Sequence, residues 1–213
     1  MNSRQCPSKP VAPHRDQPGG GAGLLIIDMI NAFDFSGGKS LRSAADEASK
    51  RIIALRKRAD AKSIPVIYVN DNFGEWHSDR SQLIDMVGDR VTDLDILPRQ
   101  HDYFVLKPQF SGFYATNLQV LLPKLGITRL ILTGVATDIC VLFTAADAYM
   151  RDYALWVPRD AVAADDFSRH EAALEIIGNR LRADIRATSD PGLSGWNEDP
   201  KAKWLSTSEL SAI

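Results

Sequence analysis

The chain has 213 residues, 45% of them apolar and 24% charged, with 25 basic side chains against 27 acidic ones. That length suits one globular domain with a sizeable core, and the near-average composition excludes wholesale disorder and a fibrous repeat. A net charge of −2 supplies no dense cationic face for a phosphate backbone, so nucleic acid is excluded as a partner class.

In chain order, residues 1–22 hold Pro7, Pro10, Pro13, Pro18 and Gly19–Gly21 with almost nothing to bury. Such a segment cannot offset its ordering entropy, which predicts a flexible N-terminal arm before a folded domain over 23–213. The arm lacks the apolar middle of a secretory signal. No apolar run in the chain approaches the ~20 residues a membrane helix needs. Two cysteines, Cys6 and Cys140, are too few for a disulfide scaffold. These features imply a cytoplasmic protein in a reducing compartment, with no membrane partner.

Gly23-Leu-Leu-Ile-Ile-Asp28 is a continuous apolar run, the signature of a strand buried on both faces of a parallel sheet. Ala45, Ala48, Ile52, Leu55 and Ala59 step along one face of an amphipathic helix over 43–60. Ile64–Val69 reads as a second strand, and a short helix is expected at Ser81–Val87. Tyr103–Leu106 reads as a third strand, and Tyr114–Leu125 is helical by spacing, with Gly126 as its C-terminal stop. A fourth strand spans Thr128–Thr133, a helix Asp138–Arg151 and a fifth strand Tyr153–Pro158. Ser168-Arg-His-Glu171 has the form of a capping box opening a helix to about Leu181, and Ala183–Ala187 is the candidate sixth strand. Strands alternating with helices predict an α/β fold: a three-layer α/β/α doubly wound domain on a mostly parallel six-stranded sheet.

Open parallel sheets bind ligands beyond the carboxyl ends of their strands. Asp28 ends the first strand, Lys107 the third, and Cys140 follows the fourth. Singly, these would read as a helix cap, a solvated charge and a structural thiol. With Thr137 or Asp138 as N-cap, however, Cys140 falls in the first turn of its helix, where unsatisfied amides and the dipole favour thiolate. The same amides can donate to an oxyanion on an attacked carbonyl. No Cys-x-x-Cys motif supports redox chemistry, and no Gly-x-Gly-x-x-Gly follows the first strand to bind a dinucleotide.

Asp28-Met-Ile-Asn-Ala-Phe33, Lys107-Pro-Gln-Phe-Ser-Gly-Phe-Tyr114 and Gly134-Val-Ala-Thr-Asp-Ile-Cys140 together resemble the three signature blocks of the isochorismatase-like cysteine hydrolases. The likeness runs in order from about Gly23 to Ala187 and includes Tyr68-Val-Asn-Asp71 and Asp160-Ala-Val-Ala163. It implies the isochorismatase-like hydrolase fold, with Asp28, Lys107 and Cys140 as the catalytic aspartate, lysine and nucleophile. It further implies a non-proline cis peptide at Val135–Ala136, and an oxyanion hole formed by the Ala136 and Cys140 N–H groups. The reaction implied is hydrolysis of a small-molecule C–N bond through a Cys140 thioester.

Metal-containing members of this family, the nicotinamidases, carry an Asp-x-His pair after the second strand. Here Asp71-Asn72-Phe73 puts phenylalanine at the histidine position, so no metal is expected, and no other cofactor; His77 and His101 are read as surface or pocket residues. Asn31, Phe33, Trp76, His77, Phe110, Phe113 and Tyr114 are the candidate substrate-binding residues. The resemblance also implies a homo-oligomer, a dimer or tetramer. Two other classes stay open: an isochorismatase-type vinyl ether hydrolase in which Cys140 is incidental, and a catalytically silent α/β binding protein.

Overall fold

A computed structural model describes residues 10–76, 79–189 and Trp196. Strand β1 (Gly21–Ile27) is followed by α1 (Gly38–Ala61), β2 (Val66–Asp71), α2 (Arg80–Val87) and β3 (Tyr103–Lys107). Then come α3 (Leu118–Lys124), β4 (Ile127–Val135), a π-helical turn (Thr137–Val141) that runs into α4 (Leu142–Tyr149), β5 (Ala154–Trp156), β6 (Val162–Ala163) and α5 (Phe167–Asn179). The sheet runs β3-β2-β1-β4-β5, with β6 also paired to β4, and every pairing is parallel.

The apolar run of β1 explains why it lies at the centre. Leu24 and Ile26 face one core with Ala45, Ala48, Ile52 and Leu55 of α1. Leu25 and Ile27 face a second core with Leu118 and Leu122 of α3, Ala145 and Ala148 of α4, and Ile177 of α5. Residues 24–27 have no exposed surface at all, and each such burial is worth about 1.5–3 kcal/mol. A strand feeding two cores is the structural meaning of an unbroken apolar run, and it produces the three layers.

Several boundaries differ from the sequence expectation. β1 begins at Gly21, which donates to the Gly126 carbonyl at 2.9 Å, so the last two residues assigned to the arm belong to the sheet. Ahead of them, Gln17 N donates to Pro123 O at 3.0 Å and Gly20 N to Thr128 Oγ1 at 3.1 Å. α3 starts at Leu118 rather than Tyr114, because Ala115 takes a left-handed φ of 53°. The turns before α3 are pinned instead by Gly112 N to Thr144 Oγ1 at 2.9 Å and Thr116 Oγ1 to Gly112 O at 2.6 Å.

The sixth strand is Val162–Ala163, not Ala183–Ala187, where Asp184 makes only a single bridge to Trp156. α5 is capped by Asp166, whose Oδ1 accepts from Arg169 N at 2.8 Å, rather than by a Ser168–Glu171 box. Among the described residues, no helix is long and apolar enough to cross a membrane.

Candidate active site

β1 ends at Ile27, and Asp28 turns out of the sheet with a left-handed φ of 53°. Its N–H donates to Val69 O at 3.0 Å. The next loop is held by Asn70, whose amide accepts from Ile30 N at 3.1 Å and donates to Ile30 O at 3.2 Å. On the other side of β1, Gly134 pairs with Ile27 at a φ of 109°, and a Cβ there would stand 2.0 Å from the Ile27 carbonyl. Only glycine lets β4 approach this closely before the chain turns toward Cys140.

Lys107 ends β3, two strands away from Asp28, with β2 between them. Its stem is completely buried and reaches across that gap, as a long unbranched side chain can. Nζ lies 2.8 Å from Asp28 Oδ2, 3.4 Å from Cys140 Sγ and 3.3 Å from Asp71 Oδ2. Asp28 and Cys140 also share a side-chain hydrogen bond, and Asp28 Oδ1 accepts from Asp71 N at 2.6 Å. One ammonium thus faces two carboxylates and a thiol at the carboxyl ends of the strands.

Burial is the largest single influence on each of the three groups, but it does not always set the direction. It raises the Asp28 carboxyl above its ordinary value, and the Lys107 charge and the Cys140 hydrogen bond only partly oppose it. Burial alone would push the Lys107 ammonium down, but the charges of Asp28, Cys140 and Asp71 together outweigh it and hold the amine above the ordinary lysine range. For Cys140, burial and the Asp28 charge both push the thiol up, with Lys107 opposing.

This reverses the expectation of a helix-stabilised thiolate. The π-helical turn has Ala136 at its N-cap with no side-chain cap. Thr137 Oγ1 faces His170 Nδ1 at 2.9 Å, and Asp138 pairs with Arg169 at 3.3 Å. A dipole term falls off within one turn, whereas the buried carboxylate touches the sulfur itself.

The Val135–Ala136 peptide bond is cis. Ala136 O accepts from both Ile139 N and Val141 N at 3.1 Å.

The candidate substrate-binding residues divide. Asn31 is buried and its Oδ1 accepts from Phe33 N at 2.7 Å, which shapes the turn after Asp28. Phe33 packs into the α1-side core. Phe113 is a core residue of the opposite face, against Tyr153 at 5.9 Å between ring centroids. Its ring is buried in that core and leaves almost no surface to a ligand.

Phe110 and Tyr114 are exposed, with Phe110 against Phe143 at 5.6 Å. Trp76 is 77% exposed, and His77 lies outside the described residues. His101 belongs to a cavity of about 460 Å³ at the amino ends of β2 and β3, lined by Asp60, Arg99 and Tyr103. It therefore does not converge with Asp71, at the carboxyl end of β2. Asp71 and Asn70 were not singled out as site residues from the sequence. The available signal was a polar pair at the end of the second strand, equivalent in position to Asp28 and Lys107.

Comparison with known proteins identifies the family. Residues 22–188 match the family model of the isochorismatase domain. The chain is 40% identical over 165 residues to the uncharacterized isochorismatase family protein YaaI of Bacillus subtilis, covering 76% of this chain and 91% of that one. It is 32% identical over 176 residues to the isochorismatase of the same organism, covering 78% of this chain but only 55% of that longer one. The solved structure of N-carbamoylsarcosine amidase from Thermoplasma acidophilum superposes with a TM-score of 0.61 at 29% identity, over 78% of this chain and 96% of that one. The matched segment contains Asp28, Lys107 and Cys140, and the chain belongs to the isochorismatase-like hydrolase family.

Proposed function

We propose that this protein is a cysteine-dependent amidohydrolase that cleaves a C–N bond of a small amide or ureido compound. The observation that carries this reading is the contact of Lys107 Nζ with both Asp28 (2.8 Å) and Cys140 (3.4 Å). A nucleophile, a base and a fixed cation within reach of one another are the minimum for acyl transfer through a thioester.

Asp28, a buried carboxylate with raised basicity, takes the proton of the neutral Cys140 thiol as sulfur attacks the carbonyl carbon. The new C–S bond places negative charge on the carbonyl oxygen, toward which the Ala136 and Cys140 N–H groups donate. Collapse breaks the C–N bond, and the nitrogen leaves with the proton returned by Asp28. Asp28 then takes a proton from water, which adds to the thioester, and the thiol is regenerated. Lys107 remains an ammonium throughout and offsets the charge that moves between oxygen and sulfur.

A second reading, hydrolysis of a vinyl ether, draws on the 32% identity to an isochorismatase. It differs in needing no covalent bond to sulfur.

Ammonia release from nicotinamide, carbamoylsarcosine, biuret and ureidoacrylate tests the amide reading. Cys140→Ala should lose at least about 10⁴-fold in turnover of the compound that reacts. A mass increment on Cys140 equal to the acyl group should appear during turnover. A Cys140→Ala variant of undiminished activity would refute covalent catalysis and favour the ether hydrolase.

A further inference from the structure

The third partner of Lys107 has no part in the mechanism above. An ammonium has three N–H donors. Asp28 takes one at 2.8 Å, Cys140 one at 3.4 Å, and Asp71 Oδ2 the last at 3.3 Å.

Asp71 is held in place for this contact rather than drifting in solvent. It pairs with Lys107 in the β2–β3 register. Its Oδ1 accepts from Phe73 N at 2.7 Å, which closes a tight side-chain turn and aims Oδ2 at the amine. Asn72 N donates to Lys107 O at 3.1 Å, tying the same loop to β3. The Asp71 main chain meanwhile donates to Asp28 Oδ1 at 2.6 Å. One residue therefore touches the base through its backbone and the cation through its side chain.

Asp71 thus adds a second carboxylate to the group that Asp28 and Lys107 already form beside the thiol. Its Oδ2 lies 3.3 Å from the same ammonium that lies 3.4 Å from Sγ, so it offsets part of the positive charge that favours ionisation of the thiol. We propose that Asp71 is a positioning residue of this hydrolase: it takes the third donor of Lys107, holds Nζ between Asp28 and Cys140, and through its charge controls how readily the thiol gives up its proton. The assignment rests on the hydrolase reading of the same site, but the contact and its charge do not depend on turnover.

The test is the rate at which iodoacetamide alkylates Cys140 at about pH 8, followed by mass spectrometry in a Cys6→Ser background. Asp71→Asn keeps the shape and removes the charge. Alkylation should become about 3- to 10-fold faster, the gain in thiolate being partly offset by weaker nucleophilicity. Asp71→Glu restores the charge and should return the rate toward the parent value. Asp71→Ser should change in the same direction as Asp71→Asn, and serves where the asparagine variant does not fold. An Asp71→Asn protein, folded by near-UV circular dichroism, that reacts no faster than the parent overturns the proposal. So does an Asp71→Glu protein as fast as Asp71→Asn, because charge would then not be the cause. Failure of the whole amide panel would sink the hydrolase reading and leave this measurement unaffected.

Discussion

Two cations are buried among the described residues, and they have opposite characters. Lys107 at the end of β3 has no exposed surface, and Arg56 on α1 is 6% exposed. Arg56 donates to the Tyr68 hydroxyl at 2.6 Å, to Leu97 O at 3.1 Å and to the Asp95 carbonyl. Tyr68 in turn donates to Ile96 O at 2.7 Å. Burial, opposed in part by the Arg56 charge, pushes the Tyr68 phenol up to about 12.

None of these partners exchanges a proton near neutrality. The Arg56 cluster joins α1, β2 and the turn at Leu94–Ile96. Lys107 instead faces two carboxylates and a thiol, groups that can trade a proton over a few ångströms. Burial of a charge therefore does not mark a reactive site; the titratability of its partners does.

The sharpest way to break the comparison is to neutralise each cation. Lys107→Met leaves two carboxylates facing each other and should cost about 3 kcal/mol in stability, with turnover reduced at least about 100-fold. Arg56→Met orphans carbonyls and should cost about 2–3 kcal/mol, while the folded fraction keeps parental kcat and KM. Urea unfolding with steady-state ammonia release separates the two. A loss of kcat in folded Arg56→Met would erase the distinction drawn here.

A smaller effect sharpens it from the side of pH. In the proposed mechanism Asp28 must be ionised to take the Cys140 proton, so activity is expected above its pKa and lost as pH falls through it. Burial raises that value above the ordinary 3.8, so the acid limb of kcat/KM should lie above pH 3.8. A limb at or below the ordinary carboxylate value would show that a different, solvated acid is the base. The smallest effect belongs to Tyr68→Phe, which should cost about 1–2 kcal/mol in unfolding free energy and leave kcat/KM unchanged.

Much of the fold was legible locally. The run at residues 24–27 and the helical spacing of Ala45, Ala48, Ile52 and Leu55 are one-dimensional patterns of burial, and both cores follow them. Errors arose where side chains or single dihedrals overrode periodicity. Ala115 in a left-handed conformation delays α3, and Asp166 rather than Ser168 caps α5. Val162–Ala163 is too short to show a period, yet it takes the place beside β4. Phe113 and Trp76 show the limit for single aromatics, since composition alone does not say which one a fold will bury.

The sequence by itself determined the α/β class, the central strand and the positions of Asp28, Lys107 and Cys140 at strand ends, because apolar periodicity and strand termini are local properties. Only the tertiary structure decided that Lys107 crosses a strand to reach Asp28 and Cys140, that Asp71 takes its third donor, and that the thiol is held up rather than down. Those are consequences of strand order, register and burial, which bring together a carboxylate and a thiol 36 and 33 residues from Lys107 in the chain. At such contacts a few ångströms decide which proton moves.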